Sequence, residues 1–344
     1  MTSFLPATKP LRLIPGVGPP DAKIAIVGEA GGAYENIQLR PFVGPAGGVL
    51  EQCLHAAGLI RSEVYLTNVI KVHPPGNNIA PYFDSRTGVF TDAGLQWVDE
   101  LRKELNNLKP NLVVACGATA LAAMTCHGSK GQHRIMKYRG YLGSSHGFEP
   151  ELKVLPMIHP AASLRGQYVL RHLIAVDLKK AKTESEFPEL KRPERQLVCE
   201  FGSVSEVLEW LEYYAQQPIV SFDIEVLNFE LACIAFASSP EVACSIPLAD
   251  QWTEQEEIEI FRGLQRVLGN SNSIKVAQNG IFDIHFLLTK CGIEVRGPIR
   301  DTMIAHHVMF PELPKGLAFL VSVYGGSQAY YKDMVKFENI KGES

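Results

Sequence analysis

The segment Ile219-Val220-Ser221-Phe222-Asp223-Ile224-Glu225 alternates apolar and polar residues with period two, which reads as a β-strand carrying two carboxylates on one face. On a buried strand that pair is costly unless cations neutralise it, so a divalent metal is its natural partner. Asn279-Gly280-Ile281-Phe282-Asp283 and Asp301-Thr302-Met303 follow downstream. Two-metal phosphodiester hydrolysis needs carboxylates that hold the cations about 3.5–4 Å apart. Asp223, Glu225 and Asp283 are the ligands on offer, with Asp283 entering from a helix start and Asn279 holding the nucleotide or the loop. Taken singly, each acid reads equally well as an exposed strand-end or helix-cap residue, and only the ordered set favours a metal site.

Around this strand, Leu231–Ser238 and Val242–Leu248 predict two more, joined by turn signals into an antiparallel meander. Ser203 with Glu206 and Thr253 with Glu256 have capping-box spacing, which predicts helices over Val204–Tyr214 and on through Leu268. In the first half, β-branched and apolar runs at 23–30, 64–71, 111–117 and 153–159 are separated by longer segments. One of these carries the helical pattern Leu95, Val98, Leu101, Leu105, Leu108, so a parallel α/β sheet with helices on both faces is expected. Lys179–Gln196 is dense in charge, holds two prolines and lacks apolar periodicity. The reading is an α/β chain of two domains, 1–182 and 198–344, with a charged linker at 183–197.

Composition agrees with two cores: 344 residues, 46% hydrophobic and 20% charged. No apolar run reaches membrane-spanning length and no secretory leader pattern is seen, which predicts a cytoplasmic protein with no membrane partner. The formal charge of −4 leaves any nucleic-acid binding to local basic patches. Seven cysteines, scattered and without a CxxC pair, suit reduced thiols. Cys126, His127 and His133 lack a fourth zinc ligand at known spacing and read as loop residues.

The acidic set, extended by Asp301-Thr302-Met303-Ile304-Ala305-His306-His307, Leu313-Pro314-Lys315-Gly316-Leu317 and Tyr324, resembles the DEDD-type 3′–5′ exonuclease domain of family-A DNA polymerases. That resemblance implies a ribonuclease H-like, DnaQ-type fold, Mg²⁺ or Mn²⁺ at Asp223, Glu225 and Asp283, and single-stranded 3′ ends as substrate. The family's third motif, a Tyr followed four residues later by an Asp, has no match, because Tyr330 and Asp333 have the wrong spacing. The fold is therefore expected to be incomplete at its C-terminus, through a truncated polymerase gene, a separately encoded subunit or impaired hydrolysis.

In the first half, Lys23-Ile24-Ala25-Ile26-Val27-Gly28-Glu29-Ala30-Gly31-Gly32 runs a strand into a glycine-rich turn. With Arg40-Pro41-Phe42-Val43-Gly44-Pro45-Ala46-Gly47, the stretch Val64 to Asn77, and Ile158-His159-Pro160 through Leu164-Arg165, it resembles the uracil-DNA glycosylase superfamily, family four above all. The resemblance implies that Phe42 stacks on uracil, Asn68 reads its edge, Glu35 positions water and His159 stabilises the uracil anion. Gly28 and Glu29 then line the uracil or DNA site, and Arg165 supports the gap in the duplex or binds phosphate. The N-terminal CxxC of family four is missing, Val72 stands at one cysteine position and Trp97 near the next, so no iron–sulfur cluster is expected. Gly31, Asn36 and Leu39 also depart from the family pattern.

This order of domains resembles the N-terminal part of phage-type family-A DNA polymerases. The expectation is a DNA replication or repair hydrolase that acts on uracil-containing DNA and single-stranded 3′ ends, alongside a polymerase domain or subunit. The alternatives are a non-catalytic uracil- and DNA-binding assembly module for a separate polymerase subunit, and a hydrolase of free nucleotides.

Overall fold

The computed structural model describes residues 12–125, 134–191, 194–249 and 251–325. Cys126, His127, His133 and the stretch holding Tyr330 and Asp333 lie outside them. Contacts divide the described residues into two compact units, one formed by those up to Lys191 together with those from Ala318 to Gly325, the other by those between, through Leu317.

The first unit runs β1 (Ile24–Ala30), α1 (Ala33–Gln38), α2 (Pro45–Ala56), β2 (Val64–Ile70), β3 (Phe83–Asp84), β4 (Val89–Phe90), α3 (Asp92–Leu108), β5 (Leu112–Cys116), α4 (Ala118–Thr125), α5 (Ile135–Tyr138), β6 (Gly143–Ser144), β7 (Lys153–Met157) and α6 (Leu170–Glu184). Its sheet has the order β2-β1-β5-β7-β6, parallel except for the short edge strand β6. All four long strands are largely apolar and buried, as strands covered on both faces must be. On one face, Ala25, Val27, Val113 and Ala115 pack with Val98, Leu101 and Leu105 of α3 and Ala120 and Ala123 of α4. The intervening Ile24, Ile26, Leu112 and Val114 are equally buried, and α6 packs against β5 and β7. Val72 belongs to the same apolar cluster as Tyr82, Phe83 and Phe90, and Trp97 packs against it.

The second unit runs β8 (Gln196–Val198), α7 (Val204–Ala215), β9 (Ile219–Leu227), β10 (Glu230–Ala237), β11 (Val242–Pro247), α8 (Glu254–Gly269), β12 (Ile274–Ala277), α9 (Ile281–Cys291), β13 (Ile299–Asp301) and α10 (Thr302–Met309). The sheet order is β13-β12-β9-β10-β11-β8, with β9, β10 and β11 antiparallel and β12 and β13 parallel to β9. A meander of three strands followed by two parallel strands on its far side is the ribonuclease H-like topology. The Thr253–Glu256 capping box forms in both directions. That of Ser203 forms only in part, since Glu206 accepts from Gly202 N instead of Ser203 N.

Two features differ from the sequence reading. The charged segment is tied down: α6 continues to Glu184, and the buried Lys153 ammonium donates to the carbonyls of Phe187 (2.7 Å) and Glu189 (3.0 Å). The strand β8 then adds to the second sheet beside β11. The last described helix, α11 (Leu317–Tyr324), groups from Ala318 onward with the first unit, although its position in the chain suggested the second. A polar socket explains this. Arg139 Nε donates to Asp177 Oδ2 at 3.0 Å and Arg139 NH1 to Ser322 Oγ at 3.1 Å, while Lys180 Nζ donates to Gly140 O (2.7 Å) and Ser322 O (3.0 Å). Tyr141 donates its hydroxyl to Ala318 O, and the Arg139 guanidinium lies over the Phe319 ring at 5.7 Å.

Arg139 and Asp177 are both fully buried. Burial pushes the Asp177 carboxyl up and the Arg139 guanidinium pulls it down, and Lys180 is brought down to about 8 by burial above all. Removing one partner of such a pair strands the other charge, at a cost of about 3–5 kcal/mol. Arg139→Met is therefore expected to destabilise the first unit by that amount in denaturant unfolding, with the double change Arg139→Met/Asp177→Leu recovering most of it.

Candidate active sites

Open α/β sheets bind ligands at the carboxyl ends of their parallel strands, which in the first unit bring Gly28, Asn68, Gly117 and His159 to one end of the sheet. Gly28 near the end of β1 pairs with Asn68 near the end of β2. A Cβ on Gly28 would lie 2.3 Å from Asn68 Oδ1 and 2.7 Å from Phe42 Cζ, so the amide and the ring converge over a floor only glycine permits. Phe42 is 6% exposed and sits at φ +54°, a strained conformation for a side-chain-bearing residue. The approach of α2 holds it there: a Cβ on Gly47 would meet Phe42 O at 1.9 Å. The Phe42 and His159 rings lie 25° from parallel with centroids 6.0 Å apart. Asn68 is 4% exposed, and its amide stands with the Phe42 ring over Gly28. An amide set beside an aromatic ring in this way can pair with the polar edge of a planar ligand.

His159 follows β7, and its Nδ1 accepts from Ala161 N at 3.2 Å, which places the proton of the neutral ring on Nε2. Burial holds its pKa below the ordinary value. Glu29 and Glu35 oppose that shift, and Arg165 adds to it. The sign follows: the native ring stays neutral at pH values where an exposed histidine, ordinarily near 6.5, is charged. As pH falls below about 6.5 the unfolded chain takes up a proton that the native site refuses, so this group costs stability until pH passes the native value. Any activity that needs neutral His159 should persist below pH 6.5 and fall only at the depressed value, and an NMR titration of His159 alongside the pH–rate profile checks this.

The structure gives Glu35 three backbone hydrogen bonds, beside the water-positioning role that the resemblance implies. Its Oε1 accepts from Val43 N (3.1 Å) and Gly44 N (2.9 Å), and its Oε2 accepts from Gly32 N (3.1 Å). It ties the start of α1 to the loop that presents Phe42. Glu29 instead receives the hydroxyl of Thr119 on Oε2 at 2.6 Å, which leaves Oε1 available. Thr119 is a residue that sequence reasoning missed. Arg165 is exposed, as are its neighbours Leu164 (44%) and Tyr168 (68%).

In the second unit, Val220, Phe222 and Ile224 of β9 face the core, while Asp223 and Glu225 are exposed on the other face. The strand is buried on one side only, so the expectation that burial forces the two carboxylates onto a cation is corrected. What joins them to Asp283 is local geometry. The register of β12 against β9 ends at Ser221, which leaves the Ile224 N–H beyond the end of β12. Asp283, 7% exposed on the first turn of α9, accepts that N–H at 3.1 Å. Burial raises its pKa first, and the neighbouring charges of Asp301 and Glu225 raise it further. Asp301, the acid of the Asp-Thr-Met stretch, accepts from Asn279 N (3.2 Å), Gly280 N (2.9 Å), Met303 N (2.8 Å) and Ile304 N (3.2 Å). It caps α10 and fixes the turn that launches α9, and it leaves the exposed Asn279 side chain at φ +58° on the surface. Phe229 is 87% exposed at the tip of the β9–β10 hairpin, whose two positive-φ residues, Asn228 and Phe229, make the tight turn.

Among the described residues no group of three or more His, Cys, Asp or Glu side chains is arranged to hold a metal ion. The donors present fit a hard divalent cation in kind, since Mg²⁺ is commonly held by one or two carboxylates together with waters and substrate phosphates. Asp223 and Glu225 are two such carboxylates on one open face.

The two folds and their sites define a two-part chain with a uracil-DNA glycosylase-like domain and a 3′–5′ exonuclease-like domain. The chain belongs to the uracil-DNA glycosylase superfamily, whose family model matches residues 15–178, and a 3′–5′ exonuclease family model matches residues 203–337. The type-4 uracil-DNA glycosylase of Thermotoga maritima is 34% identical over 178 residues, 50% of this chain and 82% of that protein. The DNA polymerase of Bacillus phage SP01 is 25% identical over 371 residues, 97% of this chain and 37% of that polymerase. The chain thus resembles the N-terminal region of a phage DNA polymerase and spans a little over a third of its length. Among solved structures, Brucella melitensis NrnC with bound Mg²⁺ is similar at a TM-score of 0.29 and 17% identity, over 40% of this chain and 65% of that one. Among the described residues no helix is long and apolar enough to cross a membrane.

Proposed function

We propose that the chain excises uracil from DNA at the first site and removes nucleotides from single-stranded 3′ ends at the second, in the setting of DNA synthesis by a polymerase domain or subunit in the cytoplasm of a bacterial or phage-infected cell. The observation that carries this reading is the convergence of the Asn68 amide and the Phe42 ring over Gly28. Such a pocket suits a flipped base, stacked on the ring and read along its Watson–Crick edge. The C1′–N1 bond breaks with its electron pair leaving on uracil, and a water oxygen bonds to C1′ to give free uracil and an abasic sugar. His159 donates from Nε2 to the uracil oxygen on which charge develops, an electrostatic contribution of the oxyanion-hole kind. Glu29 faces the cationic sugar and the water, Glu35 holds the Phe42 loop in place, and Arg165 with Leu164 contacts the strand beside the extruded nucleotide.

In the second unit, Asp223 and Glu225, with Asp283 beside them, would hold Mg²⁺ or Mn²⁺, which when bound supplies charge neutralisation at the phosphate and activation of water. Asn279 contacts the terminal nucleotide, and Phe229 offers a face on which a base of the strand stacks. Asp301 keeps Asn279 and Asp283 where these contacts need them.

A 5′-labelled single-stranded oligonucleotide with one uracil, incubated with Mn²⁺ or with chelator and then split for alkali treatment, tests both halves. An alkali-dependent break at uracil, indifferent to chelator, is expected together with a metal-dependent ladder shortening from the 3′ end. Intact oligonucleotide in every lane would overturn the reading.

A further inference from the structure

One turn touches both of the polar groups that the glycosylase reading sets to work. β5 lies between β1 and β7 in the sheet, so its carboxyl end is flanked by Glu29 in β1 and by His159 just past β7. Gly117 ends the strand at φ +89°, and its N–H donates to Met157 O at 2.8 Å. A Cβ there would lie 3.2 Å from His159 Cβ, in a backbone conformation that side chains rarely adopt, so the turn closes against the histidine only with glycine in place. Two residues on, Thr119 opens α4, is 1% exposed, and donates Oγ1 to Glu29 Oε2 at 2.6 Å. A helical threonine ordinarily returns its hydroxyl to the carbonyl one turn back, as Thr125 of the same helix does to Leu121 O at 2.7 Å. Thr119, in the first turn of α4 with no helical carbonyl one turn behind it, gives its hydroxyl to a carboxylate of β1.

We propose that Thr119 is a positioning residue for uracil excision, its buried hydroxyl pinning Oε2 of Glu29 so that Oε1 is held toward the attacking water. The proposal rests on the glycosylase reading. In the step it serves, the water oxygen bonds to C1′ as the C1′–N1 electron pair leaves with uracil, and the water's proton passes to Glu29 Oε1. A glutamate swings about three side-chain torsions, and pinning one oxygen through a residue with no freedom of its own removes that motion before the substrate arrives. His159 is braced on its other side by Gly117 of the same turn, so the carboxylate and the imidazole are set by one piece of backbone.

The test is a comparison of wild type, Thr119→Val and Thr119→Ser in the full chain, reading kcat and KM for uracil release from a single-stranded oligonucleotide and the melting temperature of each protein. Valine keeps the shape and removes the donor, whereas serine keeps the donor and removes a methyl group. Thr119→Val is expected to lower kcat by roughly 10–100-fold with KM within about twofold of wild type and folding retained, and Thr119→Ser to recover most of the loss. A Thr119→Val protein with wild-type kcat would sink the proposal while leaving the glycosylase reading intact. So would equal losses in the two variants, or a loss confined to KM or to melting temperature, since these mark packing. A wild-type protein that releases no uracil would overturn the glycosylase reading and this inference with it.

Discussion

Asp223→Ala is expected to remove metal-dependent 3′ trimming, by about a thousandfold, while uracil release from the same oligonucleotide continues at the wild-type rate. The size follows from the several kcal/mol of charge stabilisation that a catalytic metal supplies, each 1.4 kcal/mol being a factor of about ten. The separation of effects follows from the fold. Asp223 is exposed on β9, opposite the face on which Phe222 and Ile224 build the core, and it belongs to a compact unit other than the one that holds Phe42 and Asn68. Asp301→Ala makes the contrast: its carboxylate accepts four backbone N–H groups, so its loss should lower the melting temperature of the second unit as well as trimming. Trimming that survives an Asp223→Ala/Glu225→Ala double change, on a 5′-labelled strand with Mn²⁺, would refute the assignment.

Asn68→Ala is expected to lower uracil excision by about 10²–10³-fold, with little change in binding to DNA that lacks uracil. The amide is held beside the Phe42 ring over Gly28, where it can hydrogen-bond the uracil edge, and two such bonds at roughly 1.5–2 kcal/mol each give that range. Truncation also opens space beside Gly28, which loosens the stacking position of Phe42. Uracil release from labelled single strands gives the first quantity and fluorescence anisotropy with a thymine-containing control strand the second. Excision within a few fold of wild type would show that Asn68 does not read the base.

The strands were legible because burial writes itself as periodicity. The continuous apolar runs of β1, β2, β5 and β7 mark a sheet covered on both faces, and the alternation of β9 marks a sheet covered on one. The same alternation misled on the acids, since it says that Asp223 and Glu225 share a face but not that the face is open. Glu35, Glu29 and Asp283 were legible as candidates and not in their occupations. Which N–H or hydroxyl a carboxylate accepts depends on loops brought together by folding, as with Gly44 for Glu35, Thr119 for Glu29 and Ile224 for Asp283. Thr119 could not stand out in Ala118-Thr119-Ala120-Leu121-Ala122-Ala123, where a threonine reads as one more small core residue. The docking of α11 was hidden for a related reason: Leu317–Tyr324 is apolar enough to pack anywhere, and its address is written in Arg139, Asp177 and Lys180, well over a hundred residues upstream.

That address sets an order of events during synthesis. The ribosome delivers Arg139 and Asp177 early, then the whole of Arg192–Leu317, and only afterwards the helix that covers them. At about 5–20 residues per second the interval is roughly 6–25 s, long compared with the folding time of a small domain. For that time the nascent glycosylase fold waits with an open socket, and the nuclease-like fold is free to close first, although it begins later in the message.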